Sequence, residues 1–244
     1  MMQQNSYIST TTGLLYGAGS NASGQLGLAL TTTSSNSFVI LPITDVSYMI
    51  NSYNLNSYNP NPVVCFKEDS KILTNKGYIP VQFLKKGDLV KTLKHDYKAI
   101  DMIGKREIYH AALQERVKDQ LYKCSQSEYL EIFEPLIITG SHSILVENST
   151  TVVNTEQIEK VIEVIGGIYL TDDKLRLPAC VDYRASVYET PGTYNIYHIA
   201  LENDNYYMNY GVYVNGLLVE TCSKRYLKEL SNMELIESRD LNIS

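Results

Sequence analysis

Apolar and polar residues alternate over short stretches of the chain from residue 63 onward. Alternation with a period of two is typical of strands that bury one face. Turn residues recur about every ten residues between these stretches, as in all-β domains. The pattern therefore predicts an all-β domain. The predicted strands are SKILT, YIPVQFL, DLVKTL, YLEIFEPLIIT, SILVE, GIYL, YNIYHIAL and YYMNYGVYVNGLLVE.

Two stretches have helical spacing instead. ERVKDQLY, residues 115–122, is a short candidate helix. The tail SKRYLKELSNMELIES, residues 223–238, places apolar side chains at intervals of three and four residues. This stripe predicts an amphipathic helix within residues 223–244 that packs on its parent domain or binds a partner. Its apolar positions are Tyr226, Leu227, Leu230, Met233 and Ile236.

The first 62 residues differ from the rest of the chain in composition. They contain one charged side chain, Asp45, whereas all 21 Lys and Arg residues lie beyond them. Ser, Asn, Thr and Tyr dominate, and NSYNLNSYNPNP at the end is typical of a polar linker. We therefore expect residues 1–62 to form a segment separate from the patterned domain.

Within this segment, GLLYGAGSNASGQLGL resembles one repeat of the regulator-of-chromosome-condensation propeller family. One repeat cannot close a propeller or bury its own faces. The segment is therefore a remnant, a blade that joins another chain, a cap or a poorly ordered Ser/Thr/Asn tail. The residues that carry the resemblance are Gly19, Ser20, Asn21, Gly24, Gln25, Leu26, Gly27 and Leu28, with Ala29 in place of the last expected Gly.

Charge and composition narrow the possible partners and cofactors. The net charge of −6 disfavours a nucleic-acid partner. No apolar run is long enough to span a bilayer, and no secretory signal is visible, so we expect an intracellular protein without membrane contact. The four cysteines and four histidines are dispersed, which predicts reduced thiols, no metal site and no cofactor. They are Cys65, Cys124, Cys180 and Cys222, and His95, His110, His142 and His198.

Three separated motifs occur within the patterned region. The first runs from Val63 to Thr92, VVCFKEDSKILTNKGYIPVQFLKKGDLVKT, and the second is ITGSHSILV, a T-x-x-H spacing beside a strand. The third, YHIALENDNYYMNYGVYVNGLLVETCS, ends close to a second Cys. Together they resemble the Hedgehog/intein autoprocessing (Hint) family over residues 63–222. The resemblance implies a pseudo-symmetric horseshoe of short antiparallel strands.

The residue types also suggest a reaction. A Cys65 thiolate can attack the carbonyl of Val64 and form a thioester, an N-to-S acyl shift in which the peptide nitrogen leaves as an amine. A histidine can protonate that nitrogen, and a threonine can hydrogen-bond the same peptide and help to twist it. The Hint resemblance assigns these two roles to His142 and Thr139.

The end of the third motif departs from splicing inteins. The resemblance places Glu220 where inteins have the penultimate His, and Thr221 where they have the Asn that cyclises to cut the chain. Threonine has no side-chain amide, so we expect no C-terminal cleavage and no splicing. Asn215 could cyclise slowly with Gly216 after it, but a turn is the expected role of this pair.

Two further residues are possible secondary members of the site. Cys222 occupies the place of the downstream nucleophile, where it accepts the acyl group or, as we expect, is a bystander. His198 is a second acid–base group or a strand residue.

We therefore expect single-turnover self-cleavage before Cys65. Water, a thiol or an amine would accept the acyl group, and residues 1–64 would be released. A sterol acceptor is not expected, because the tail shows no sterol-binding module. The alternative is a catalytically decayed Hint fold that acts as a structural or protein-interaction module.

Overall fold

A computed structural model describes residues 63–147 and 153–236, together with the backbone of three strands nearer the N-terminus. The chain divides into two compact units, Met1–Tyr58 and Asn59–Ser244. Among the described residues, no helix is both long and apolar enough to cross a membrane.

The first unit contains an antiparallel sheet of sequential strands, ordered β1-β2-β3. The Gly24–Leu28 part of the propeller-like motif and the linker before residue 63 lie outside the described residues. The propeller resemblance therefore stays a prediction. The strands are β1 Ser6–Ser9, β2 Leu15–Ser20 and β3 Ser34–Ile40.

The second unit is an antiparallel β structure, which confirms the all-β prediction. Its strands are β4 Phe66–Lys67, β5 Lys71–Thr74, β6 Gly77–Pro80, β7 Leu89–Lys91, β8 Tyr97–His110, β9 Leu121–Cys124, β10 Leu136–Thr139, β11 Ser143–Val146, β12 Leu170–Thr171, β13 Lys174–Pro178, β14 Ser186–Val187, β15 Gly192–Leu201, β16 Gly211–Val214, β17 Leu217–Glu220 and β18 Glu234–Leu235. Along the sheet they run β12-β13-β11-β17-β16-β5-β7-β8-β15-β4-β10-β9-β14, with β6 on β5 and β18 on β8. The helical elements are a 3-10 turn at Val81–Phe83, helix α1 at Thr155–Ile165 and a π-helical turn at Tyr226–Leu230.

Strand β15 divides the core into two apolar clusters. Every residue from Ile196 to Leu201 is buried, because both faces of the strand are covered. The odd-numbered side chains, such as Ile199, pack into the large central core. The even-numbered Ile196 and Ala200 belong to a smaller cluster, here called the Cys65 cluster. The buried members of the Cys65 cluster are Cys65, Leu121, Ile196, Ala200, Cys222, Leu227 and Met233.

The turn between β16 and β17 has the predicted Asn-Gly geometry. Asn215 has φ 50° and Gly216 has φ 97°, the left-handed values that a two-residue hairpin turn needs. A Cβ on Gly216 would lie only 2.1 Å from the Glu131 carbonyl oxygen. The Asn215 side chain accepts a hydrogen bond from the Lys71 N–H at 2.7 Å, so the pair is built into the fold as a turn.

The prediction of a helix over ERVKDQLY is wrong. Arg116 in this stretch donates four hydrogen bonds to carbonyls of residues 179–185, at 2.7 to 2.9 Å, which hold the segment as a loop. A helix that the sequence analysis missed is α1. Asn154 caps it in a reciprocal pair with Gln157, and Gly166 ends it at φ 82°.

The tail forms a shorter helix than its spacing predicts. After the turn at Tyr226–Leu230, the chain continues into β18, which pairs Leu235 with Gly104 of β8. The apolar stripe is thus split between a helical turn and an extended segment, and Leu227 and Met233 still reach the same cluster. Residues 237–244 lie outside the described residues.

Gly104 permits the close approach of this tail to β8. A Cβ at this position would lie 2.8 Å from Leu227 Cδ2 and 3.0 Å from Met233 Cβ. Contacts below 3.0 Å force neighbouring atoms to move, so a side chain here would push the tail away from β8.

We therefore predict that Gly104→Ala lowers the free energy of unfolding by about 1 to 3 kcal/mol, the usual cost of overpacking. Urea denaturation would measure the change. In the same assay, Leu227→Ala should offset part of the cost of Gly104→Ala, because it removes the atom that the new methyl group meets. Purely additive losses would contradict this account.

Candidate active site

The pairing of β4 sets the position of Cys65. Strand β4 lies between β10 and β15, with Phe66 opposite both Ile138 and Tyr197. Cys65 directly precedes β4, so its backbone lies beside the end of β10, where Thr139 is located. The first and second motifs, more than seventy residues apart along the chain, therefore meet at the Val64–Cys65 peptide.

Thr139 holds this peptide by reciprocal hydrogen bonds. The Cys65 N–H donates to Thr139 Oγ1 at 2.9 Å, and the Thr139 N–H donates to the Cys65 carbonyl at 3.0 Å. Thr139 is 1% exposed, so water does not compete with these bonds. The threonine oxygen thus contacts the nitrogen of the peptide bond predicted to break.

His142 follows in a tight turn after β10. Its N–H donates to the Thr139 carbonyl at 2.9 Å, which closes the T-x-x-H spacing into one turn. Gly140 lies within the turn, where a Cβ would come within 2.8 Å of two carbonyl oxygens. The His142 ring packs against Phe66 with centroids 4.4 Å apart, on the strand that Cys65 begins. Backbone geometry thus places the imidazole near the backbone carbonyl of Cys65.

The His142 ring is neutral at ordinary pH. Burial lowers its pKa to about 3, although nearby carbonyls of Glu220 and Cys65 act in the opposite direction. Nε2 lies 3.2 Å from the Glu220 carbonyl, and the tautomer with its proton on Nε2 can donate to that carbonyl. Nδ1 is then a free lone pair, and it has no hydrogen-bond partner among the described residues.

The Cys65 thiol is fully buried and protonated. Burial raises its pKa far above the usual range, and Sγ lies 3.8 Å from Met233 Sδ in a weak S–H···S contact. The tail also contacts the acyl side of the peptide, where the Val64 N–H donates to Tyr226 Oη at 3.0 Å. The tail therefore covers the nucleophile, a feature that the spacing of Tyr226 and Met233 signalled only as a packing stripe.

His198, a residue of β15, lies beside the His142 ring. The two ring centroids are 5.0 Å apart, and neither nitrogen of His198 has a hydrogen-bond partner among the described residues. Burial lowers its pKa well below the usual value, and His142 nearby adds to the effect. A pair so close and so buried favours the neutral state of both rings.

At the end of β17, Glu220 and Thr221 both have structural contacts. Thr221 Oγ1 accepts the Tyr210 N–H at 3.0 Å, and Glu220 forms an ion pair with Arg176 at 3.1 Å. Cys222 lies in the Cys65 cluster and donates its S–H to the Ile199 carbonyl at 3.3 Å. Cys65 and Cys222 are thus neighbours in one cluster, and both are free thiols.

A cleft of about 440 Å³ opens onto the acyl side of the peptide. Val64, Cys222 and Tyr226 line it together with polar side chains. The buried Ser143 hydroxyl, one of these, has no hydrogen-bond partner within the described part of the chain. The other polar side chains are Ser141, Arg176, Asn209, Glu220, Thr221, Ser223 and Arg225. In residues 63–147 and 153–236, no group of three or more His, Cys, Asp or Glu side chains is arranged to hold a metal ion.

A family model described as "Hint domain" matches residues 64–224. The chain belongs to the Hint family. The match begins next to Cys65 and ends just beyond Cys222, so this Hint domain contains all three motifs. Searches of curated proteins found no match.

Solved inteins are similar to the Hint domain at low identity. The gp41-1 intein is 12% identical, covers 64% of this chain and 97% of its own, and superposes with a TM-score of 0.34. An intein-like domain from Clostridium thermocellum is 15% identical, with coverages of 64% and 97% and a TM-score of 0.34. The MchDnaB-1 intein is 8% identical, with coverages of 64% and 98% and a TM-score of 0.33.

Burial lowers the pKa of three histidines, His110, His142 and His198. The large shifts of His142 and His198 predict a pH dependence of stability. The unfolded chain binds a proton at each imidazole below about pH 6.5, whereas the folded Hint domain does not until the pH falls much further. The contribution of these histidines to the free energy of unfolding should therefore be fully present above pH 6.5. Below that pH the free energy of unfolding should fall by up to about 1.4 kcal/mol per pH unit for each histidine. Urea unfolding at stepped pH would measure this slope.

The same titration with His142→Gln isolates one histidine from the carboxylates that also titrate in acid. Between about pH 6 and pH 4, the slope of the free energy of unfolding against pH should decrease by about 1.4 kcal/mol per pH unit, which is the contribution of one proton. An unchanged slope would show that His142 is protonated in the fold.

Proposed function

We propose that this Hint domain cleaves its own chain before Cys65 and releases residues 1–64, without splicing. The observation that supports this most is the 2.9 Å hydrogen bond from the Cys65 N–H to Thr139 Oγ1, with the His142 ring in the same turn. The pairing of β4 with β10 and the turn that follows bring Cys65, Thr139 and His142 into one region, which supports a joint role for them. This is the proximity that turns a slow amide reaction into an intramolecular one.

Proton transfer begins from a neutral pair. Because the His142 ring is unprotonated at Nδ1, it acts first as the base that takes the Cys65 S–H proton. The thiolate then attacks the Val64 carbonyl carbon and forms a tetrahedral oxyanion. The C–N bond breaks, the proton passes from imidazolium to nitrogen, and the products are a thioester on Sγ and the free α-amine of Cys65.

Thr139 aids this step at the nitrogen. Its oxygen is aligned with the scissile N–H, so it fixes the peptide while the nitrogen becomes pyramidal. Loss of planarity weakens the amide resonance that makes nitrogen a poor leaving group.

The second step uses the cleft that Val64 lines. Water, a thiol or an amine enters there, attacks the thioester carbonyl, releases the N-terminal product and restores the Cys65 thiol. Polar side chains such as Ser143 line the cleft together with apolar ones such as Ile165 and Leu230. His198 and Cys222 adjoin this path as secondary groups, His198 for proton transfer and Cys222 as a second thiol or a bystander.

Splicing is excluded from the proposal by the chemistry of one side chain. Thr221 has no amide with which to cyclise, and its hydroxyl is occupied by the Tyr210 N–H. The C-terminal bond should stay intact, so the products are residues 1–64 and residues 65–244.

A catalytically decayed domain is the second candidate, and the burial of the site favours it. Cys65 is 0% exposed, its thiol pKa is raised, and Tyr226 and Met233 cover it. In this case the Hint domain is a structural module, and the repeat-like N-terminal segment provides an interaction surface.

We predict that the purified chain breaks before Cys65 when it is incubated with dithiothreitol, and that hydroxylamine also releases residues 1–64. Cys65→Ala should abolish the break, because it removes the sulfur that forms the thioester. Intact-mass analysis would identify the two products. A wild-type chain that stays whole for days in strong thiol would support the decayed module.

The roles of Thr139 and His142 can be separated from their packing. His142→Gln should slow thiol-induced cleavage by about 100-fold, the usual range for an acid–base group. Thr139→Val keeps the side-chain shape but leaves the scissile N–H without an acceptor, and should slow cleavage at least tenfold.

Thr92→Val is the matched control. Thr92 is also fully buried and accepts a backbone N–H, from His95 at 3.0 Å, in the hairpin that joins β7 to β8. The Thr92→Val variant should lower the free energy of unfolding about as much as Thr139→Val does. It should leave the cleavage rate of the folded protein unchanged. Equal slowing by both variants would assign Thr139 a purely structural role.

A further inference from the structure

We infer that Arg106 supplies the positive charge that stabilises the Cys65 thiolate when it forms. This inference rests on the proposed function and adds a residue that the sequence motifs do not contain. Arg106 lies in the long strand β8, between the end of the first motif at Thr92 and the start of the second at Ile138.

Strand register places Arg106 on the Cys65 side of the sheet. Arg106 is directly opposite Ile196 of β15, and cross-strand partners point to the same face. Ile196 is fully buried in the Cys65 cluster. Met102 and Ile108, which share the face of Arg106 by the period of two, also pack against that cluster. The guanidinium is therefore directed toward the nucleophile.

The next residue on the strand points the other way. Lys105 is opposite Tyr197, which packs in the central core, and its ammonium lies over the Tyr197 ring at 5.8 Å. Two adjacent cations of β8 thus face opposite sides of the sheet, and only Arg106 shares a side with Cys65.

The Arg106 guanidinium retains an unused donor. Its NH1 nitrogen is buried and has no hydrogen-bond partner within residues 63–147 and 153–236, and the residue forms no ion pair there. A buried donor without a partner is unfavourable in the resting state. The same donor becomes favourable when negative charge develops nearby, which is the property of preorganised groups in active sites.

Lys67 of β4 is also opposite Ile196, and its ammonium lies over the Tyr194 ring, but Arg106 is the cation that acts on the Cys65 thiol. Burial raises the pKa of Cys65, and Arg106 is the group that opposes this effect. The same guanidinium acts to lower the pKa of Tyr226, the residue that contacts Val64. Arg106 also acts on Asp119, where burial raises the pKa of the carboxyl and the guanidinium opposes this effect. The other titratable groups on this side of the sheet are Lys67, His110, His142, His198, Cys222, Tyr188, Tyr194 and Tyr226.

The charge assists both parts of the acyl shift. The S–H proton leaves to His142, so negative charge appears on Sγ and then passes to the oxygen of the Val64 carbonyl. A fixed guanidinium in a dry cluster favours both charges over the neutral thiol. No proton is exchanged with Arg106, which stays charged throughout.

The test measures the pH profile of dithiothreitol-induced cleavage in three variants. Arg106→Met removes the charge and keeps most of the side-chain volume, Arg106→Lys keeps the charge, and Lys105→Met removes a charge from the opposite face. Rates are taken from about pH 6 to about pH 10, across the range in which a thiol titrates.

Arg106→Met should displace the rising limb of the profile by about one pH unit to higher pH, so that cleavage near neutral pH is about tenfold slower. Arg106→Lys should restore most of the rate, and Lys105→Met should match the wild type. An unshifted Arg106→Met profile, or an equal shift in Lys105→Met, would overturn the inference.

A second measurement keeps the inference testable if the chain does not cleave. The Cys65 thiol is titrated by thiolate absorbance in a background of Cys124→Ala, Cys180→Ala and Cys222→Ala, or by the NMR signal of its Cβ if that background does not fold. The thiol pKa should be higher with Arg106→Met than with Arg106 present. Absence of cleavage would refute the proposed function, whereas an unchanged thiol pKa would refute the role of Arg106.

Discussion

The reciprocal hydrogen bonds between Cys65 and Thr139 are the constraint on which the site depends. They extend the pairing of β4 and β10 by one residue, so the sheet itself positions the scissile peptide. A two-residue strand such as β4 has little independent stability. It persists because β10 and β15 flank it on both sides, and Phe66 between them is completely buried. The chemistry of Cys65 is thereby coupled to the integrity of the core.

Burial has two opposing consequences for this site. It excludes water, which strengthens hydrogen bonds and charge interactions around the peptide. It also raises the pKa of the Cys65 thiol and lowers the pKa of both His142 and His198. Before any reaction, the thiol and the two imidazoles are therefore all neutral. Any reaction must therefore begin by separating charge in a dry cluster. A cation such as Arg106, directed into that cluster, is the physical means to reduce the cost of this step.

The C-terminal segment changes how the site can be used. By packing on Gly104 and contacting Val64 through Tyr226, it covers the nucleophile and leaves the cleft beside Val64 as the approach to the acyl group. In the same region, Glu220 and Thr221 have structural contacts in place of the groups that splicing needs. The fold thus holds Thr139 against the Cys65 N–H at one end of the site and gives Glu220 and Thr221 structural contacts at the other.

The sequence by itself determined the β class and the Asn215–Gly216 turn, because alternation and turn residues are local properties of the chain. The proximity of the Cys65 and T-x-x-H motifs was implied only by the resemblance to the Hint family, since no local pattern brings together residues more than seventy positions apart. The sequence predicted a helix at residues 115–122 that four long-range hydrogen bonds of Arg116 prevent. Only the tertiary structure decided that the tail splits into a helical turn and a strand, and that Arg106 faces the thiol. Strand register between β8 and β15 sets the side to which each residue points, and no local pattern encodes register between strands so far apart.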